Sequence, residues 1–117
     1  MPTLTVTETI SFALAAEGTP PSTGRTFTLV YTEKVTRDLV VTGAQVDVDL
    51  LNGIADAKAV FVECLTGAGT IEVNGATAGV DLKAAVGWFE WLNSDGGLTA
   101  LTVTTTADAS FRLYIFS

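Results

Sequence analysis

Histidine is absent from all 117 residues. Its absence removes the usual general base near neutral pH and the commonest metal ligand. It also makes a Ser-His-Asp or Cys-His nucleophile impossible. Cysteine occurs once, so no intramolecular disulfide can form. That residue, Cys64, sits in the apolar run "AVFVECL", where a small buried hydrophobe is expected rather than a reactive thiol. Positive charge is scarce: 6 Lys and Arg stand against 13 Asp and Glu, for a net charge of −7. A surface this acidic repels nucleic acid and helps keep a crowded assembly soluble. No apolar run approaches the ~20 residues that span a bilayer, so no membrane partner is expected. The opening "MPTLTVTETISF" lacks the basic start and long apolar stretch of a signal peptide. Synthesis in the cytosol, with the chain either kept there or released by lysis, is the expectation that follows.

What is present is an ample apolar fraction, 48% of the chain, which argues for a packed core and against disorder. A chain of this length can hide roughly two-thirds of its unfolded surface. A single domain over residues 1–117 therefore needs neither disulfide nor metal, and no cofactor is called for. The hydrophobic period is two almost throughout. Leu4, Val6, Ile10, Phe12 and Leu14 alternate with Thr3, Thr5, Thr7, Thr9 and Ser11, and only Glu8 breaks the apolar register. The stretch "AEGTPPSTG" reads as a loop, because Pro20 and Pro21 cannot donate to a ladder. Alternation resumes with Phe27, Leu29 and Tyr31, and continues through "EKVTRDLVV", where Val35, Leu39 and Val41 share a parity with Arg37. A hairpin near Glu33 or one long bent strand both fit. "TGAQVDVDL" reads as a turn and a strand with Asp47 and Asp49 on its outer face, and "LNGIADA" as a turn or a short helical piece.

"KAVFVECL" is apolar on both parities, as a strand covered on both faces would be. "TGAG" turns it into "TIEV", and Asn74-Gly75 offers the positive φ angles of a type I′ hairpin. Residues 80–92 are ambiguous. Leu82, Val86, Phe89 and Leu92 fit a helical stripe, but Gly79, Gly87 and the aromatics favour a strand from about Val86. "NSDGG" reads as a hairpin loop before "LTALTVTTT" and the last strand, "SFRLYIFS". Eight or nine short strands separated by Gly, Asn, Asp and Pro turns predict an all-β fold, an antiparallel β-sandwich of jelly-roll-like form.

Few residues suggest chemistry. "GAGTIE" begins like a dinucleotide loop but lacks the third glycine and the following helix. Asp47, Asp49, Asn52 and Asp56 are close in sequence, but Leu50 and Leu51 interrupt them and the order is not that of a calcium loop. A solvated strand edge is the expected reading. Paired carboxylates hydrolyse glycosides without histidine. Glu90, among Trp88, Phe89 and Trp91, is the candidate acid, with Glu63 and Glu72 as candidate partners. A structural role, with Arg112 pairing to Glu90, requires less. Phe89 and Trp91 share the parity opposite to Glu90 and project together about 7 Å apart on a strand, as a core pair, an oligomer contact or a sugar platform. On the last strand Phe111, Leu113 and Ile115 face one way, Tyr114 and Phe116 the other. Apolar residues on both faces predict a homo-oligomer, most simply three-fold. Trp88, Phe89, Trp91, Tyr114 and Phe116 are the candidate oligomer or partner contacts.

The stretch "VNGATAGVDLKAAVGWFEWLNSDGGLTALTVTTTADASFRLYIFS" joins an aromatic strand, a Gly-rich hairpin, a threonine ladder and "TADAS" before a terminal apolar strand. In this texture the second half, from about Thr66, resembles capsid cement (decoration) and head-fibre proteins of tailed bacteriophages with jelly-roll-like folds. The resemblance implies a virion structural protein without catalysis, often trimeric, on the outside of the capsid. Its partner there would be the major capsid protein, at junctions between capsomers, where it stabilises the shell. It transfers no residue-level site. Another phage part (tail, fibre or head-completion module) and a lectin-like carbohydrate-binding domain are the alternatives.

Overall fold

The threonine-faced alternation at the start of the sequence becomes a two-stranded ribbon. In the computed structural model, which describes residues 2–11, 22–75, 79–86, 88–93 and 96–117, β1 (Thr3–Ser11) pairs antiparallel with β2 (Ser22–Val30) from Thr3↔Val30 to Ser11↔Ser22. Leu4 lies opposite Leu29 and Val6 opposite Phe27, while Thr5–Thr28 and Thr7–Thr26 pair on the other face. Glu8 faces Arg25, whose Nε donates to its Oε2 at 2.9 Å. The one residue that broke the apolar register is thus answered across the strand. Of the proline loop, Ser22, Thr23 and Gly24 belong to β2; its residues 16–21, together with Phe12 and Leu14, lie outside the described residues. This ribbon is one compact unit, Met1–Val30, and Tyr31–Ser117 is the other.

The second unit holds β3 (Lys34–Val41), β4 (Gln45–Asp49), β5 (Ala59–Thr66), β6 (Ala68–Val73), β7 (Val80–Lys83), β8 (Phe89–Leu92), β9 (Leu101–Thr105) and β10 (Ala109–Phe116). They form two antiparallel four-stranded sheets, ordered β3-β10-β5-β8 and β4-β9-β6-β7. Each strand pairs with the one equally far from the β6–β7 connection: β5 with β8, β4 with β9, β3 with β10. The unit is therefore one long antiparallel ribbon rolled on itself, the double Greek-key order of an eight-stranded jelly roll. With the hairpin, the strands among the described residues number ten, against eight or nine expected.

Three local expectations change. β2 and β3 are neither a hairpin nor one bent strand, because β2 pairs with β1 and β3 with β10. The break between them is tied down by Ser117, whose carbonyl accepts from the Thr32 and Glu33 N–H groups at 2.7 and 3.2 Å. Asn74 and Gly75 do adopt positive φ, 50° and 75°, but Ile71 pairs with Val80, so they start a longer connection than a two-residue turn. Residues 80–83 form β7, and the aromatic strand begins at Phe89 rather than Val86. "LNGIADA" is a turn, with Asn52 and Gly53 at φ 53° and 83°.

Between the sheets the inward parities meet. Phe111, Leu113 and Ile115 of β10 pack with Val60 and Val62 of β5 and with Ile71, Leu101 and Val103 of the facing sheet, all at 1% exposure or less. Truncating such a residue costs about 3–5 kcal/mol for Phe→Ala. Gly69 makes room for Phe111: a Cβ there would lie 2.9 Å from the ring's Cζ and 2.5 Å from Val103 Cγ2. "KAVFVECL" is apolar on both parities, but only its inner face is covered, and on the outer face Phe61 is half-buried. Val60, Val62 and Cys64 point inward, while Phe61 meets an aromatic outer face.

Candidate functional site

The outer face of the β3-β10-β5-β8 sheet carries the chain's unusual surface. With Phe111, Leu113 and Ile115 buried, strand alternation turns Arg112, Tyr114 and Phe116 outward. Register then builds rows across the sheet. Tyr114 lies between Thr36 and Phe61, Arg112 between Asp38 and Glu63, and Phe116 between Lys34 and Ala59. Glu90 stands opposite Phe61 on the edge strand.

The aromatic rings on this face divide into a closed corner and an open end. Phe116 is the closed corner. Tyr31 meets it edge-on at 5.0 Å between centroids and Phe61 at 6.2 Å, with Lys34 Nζ 6.0 Å from its ring centre. Such edge-to-face pairs are favourable geometries, and they leave Phe116 only 6% exposed. Trp88 is the open end. Its indole stacks on Tyr114 at 6.5 Å and 29° and remains 55% exposed. The polar surround is Asp38, Arg112, Glu63 and Glu90. Arg112 Nε donates to Asp38 Oδ1 at 2.9 Å, and this bond holds the guanidinium pKa above its ordinary value. The other sheet's outer face differs in kind: Thr70, Thr102 and Thr104 with Glu72, Asp81 and Lys83, and among the described residues no aromatic ring.

The five candidate contacts separate. Phe89 is buried opposite Val62, and Trp91 packs against the same core opposite Val60. Of core, neighbour and sugar, this pair meets its own core. Phe116 is enclosed by Tyr31 and Phe61, leaving Trp88 and Tyr114 on open surface. The expected pairing of Arg112 with Glu90 is corrected: β5 lies between their strands, and Arg112 bonds Asp38. Glu90 is exposed, so the aromatic enclosure expected around it does not form. Glu72 belongs to the other sheet, while Glu63 shares Glu90's face and lies opposite Arg112.

The acidic stretch is occupied with hydrogen bonds, one of them local and two to distant segments. Asp47, at φ 52° in a β-bulge, donates its N–H to Thr104 Oγ1 at 3.2 Å. Asp49 Oδ1 accepts from the Leu51 N–H at 3.1 Å, and Asp56 Oδ1 from the Gly97 N–H at 2.6 Å. Among the described residues no three acidic or cysteine side chains group around a common point. Cys64 is buried, its Sγ 3.3 Å from the Thr66 carbonyl oxygen, and burial pushes its thiol pKa up.

Two polar residues matter more than their sequence context announced. Arg37 points inward from edge strand β3, and its Nη1 donates to the Asp49 and Leu50 carbonyls at 3.0 and 3.1 Å. It clamps the end of β4 on the facing sheet. Asn74 Oδ1 accepts from the Thr99 and Ala100 N–H groups at 2.9 and 3.2 Å, while Nδ2 donates to the Gly97 carbonyl at 3.1 Å. The odd parity of Arg37 was the only sequence signal for either role. The Trp88–Tyr114 stack had none, since it depends on strand order. No protein-family model, curated protein or solved structure matches the chain.

Proposed function

We propose that this chain is a virion structural protein: a capsid cement or decoration module that binds the major capsid shell of a tailed bacteriophage and stabilises it without catalysis. The observation that carries the reading is the Trp88–Tyr114 stack, held open on the outer face of a jelly-roll sheet. Exposed aromatics beside a polar rim are the usual anchors of a protein contact. Arg112, Glu63 and Glu90 supply that rim, and with residues of both signs it suits a protein surface. The resemblance of the second half to cement proteins names the partner. Stabilisation follows by linkage, because a protein that binds only the assembled shell adds its binding free energy to that state at every repeated position.

The test is co-sedimentation with assembled, undecorated shells and with unassembled capsid protein. The reading expects binding to shells alone, protection of the shells against heat, and a loss of about thirtyfold or more with Trp88→Ala, in line with the roughly 2 kcal/mol or more of a hot-spot aromatic. Equal binding by the variant sinks it. A second reading draws on the same open indole face, because aromatic rings also stack on sugar rings. If a glycan array binds the wild type and not Trp88→Ala, while shells bind neither, the site is a carbohydrate platform.

A further inference from the structure

We infer that Asn52 is a site of spontaneous backbone modification, at which the Gly53 amide nitrogen attacks the Asn52 carboxamide, and that the product loosens the turn between β4 and β5. Asparagine before glycine is the pair most open to this reaction, because glycine has no side chain to hinder its own nitrogen. The chain holds two such pairs, Asn52-Gly53 and Asn74-Gly75. Both are exposed, and all four residues take positive φ. A side chain added at either glycine would meet nothing within 4 Å, so neither nitrogen is shielded.

The pairs differ at the carboxamide. Asn74 Oδ1 accepts from the Thr99 N–H and hydroxyl and from the Ala100 N–H, and its Nδ2 donates to the Gly97 carbonyl. Attack requires the side chain to swing onto the following nitrogen, so Asn74 must first give these bonds up. Asn52 has no such hold. Among the described residues neither its side chain nor the Gly53 N–H makes a hydrogen bond. The turn's own bond, from the Ile54 N–H to the Leu51 carbonyl at 3.1 Å, spans the pair without using either group.

The step balances with water as the one co-reactant. The Gly53 nitrogen bonds to Asn52 Cγ and loses its proton, the Cγ–Nδ2 bond breaks, and ammonia leaves carrying that proton. Water then opens the cyclic imide at either carbonyl. One opening gives an ordinary aspartate at position 52. The other routes the main chain through the side-chain carbon, an isoaspartyl linkage with an extra backbone atom. The flanks give that atom little room. Leu50, Leu51 and Ala57 are buried, the Leu50 and Ala57 N–H groups donate to the Leu101 and Leu98 carbonyls at 2.8 and 3.0 Å, and Arg37 holds the Leu50 carbonyl. The Leu51–Ile54 bond is therefore the one that yields.

The inference stands whether or not the aromatic face binds a shell, and its test uses the full chain. Samples kept in warm, mildly alkaline buffer, folded or in urea, are mapped by peptide mass spectrometry, with isoaspartate labelled by isoaspartyl methyltransferase. In urea both pairs should convert at similar rates. In the folded chain Asn52 should still convert, with Asn74 at least about tenfold slower, a factor that forfeiting two ordinary hydrogen bonds exceeds. Folded Asn74 keeping pace with Asn52, or folded Asn52 staying intact where the urea sample converts, overturns the assignment. The isoaspartyl form, separated by ion exchange, should melt about 5 °C below the parent, as loss of one turn hydrogen bond predicts. Asn52→Asp adds the same charge without the extra atom and should melt near wild type. An isoaspartyl form melting with the parent, or Asn52→Asp falling as far, overturns the loosening.

Discussion

Asn74 shows how much a single polar residue can organise. Its side chain gathers backbone groups of Gly97, Thr99 and Ala100, and its own φ of 50° suits Asn far better than Ala. Asn74→Ala removes those bonds and strains the backbone, an expected loss of about 2 kcal/mol. For a domain of this size that lowers Tm by roughly 10 °C in a thermal melt. Asn74→Asp keeps the Oδ acceptors and should lose about half as much. Cys64 gives a pH prediction. Burial raises its folded pKa above the unfolded value, about 8.5, so above that pH the unfolded chain releases a proton that the folded chain retains. Its contribution is complete below about pH 8 and is lost as pH rises through the folded pKa. Denaturant melts from pH 7 to 10 should show wild type losing more stability than Cys64→Ala over that window. Parallel curves would mean that the thiol does not titrate differently in the two states.

At the scale of elements, legibility followed how local the determining interactions are. Strand β10 was readable because Phe111, Leu113 and Ile115 alternate without interruption, and all three are buried as that alternation demands. Strand β7 was not. "VDLK" is four residues on a sheet edge, with Leu82 buried and Val80 55% exposed, too short to display a period. The Asn74-Gly75 turn was readable as backbone conformation but not as connection length, because pairing is set by Ile71 and Val80 beyond it. The parity of Phe89 and Trp91 against Trp88 and Glu90 was plain in the sequence. Which parity faced the core depended on β5 lying beside β8, a non-local fact. Arg37 follows the same logic, since its two carbonyl partners lie on the facing sheet. Arg37→Met should keep the inward packing and remove both charge-assisted bonds. The expected cost is about 1.5–3 kcal/mol, read as a shift in denaturant midpoint with an unchanged m-value.

For the whole molecule, the rolled-ribbon topology has a kinetic consequence. Within the jelly-roll unit, among the described residues, only the β6–β7 pairing is nearly local. β5–β8, β4–β9 and β3–β10 close progressively longer loops, ending with Lys34 beside Phe116. Loop-closure entropy grows with each step, and folds dominated by such pairings fold in milliseconds to seconds. The outermost pair should therefore form after the rate-limiting step, while contacts near β6 and β7 are already present in it. Val35→Ala on β3 and Ile71→Val on β6 separate the two. Stopped-flow chevrons should show Val35→Ala mainly accelerating unfolding, with φ below about 0.3, and Ile71→Val mainly slowing refolding, with φ above about 0.5. The reverse order would mean that β3 and β10 meet first, with the connection between β6 and β7 consolidating last. That outcome would make late closure of the outer strands untenable as an account of how this ribbon rolls up.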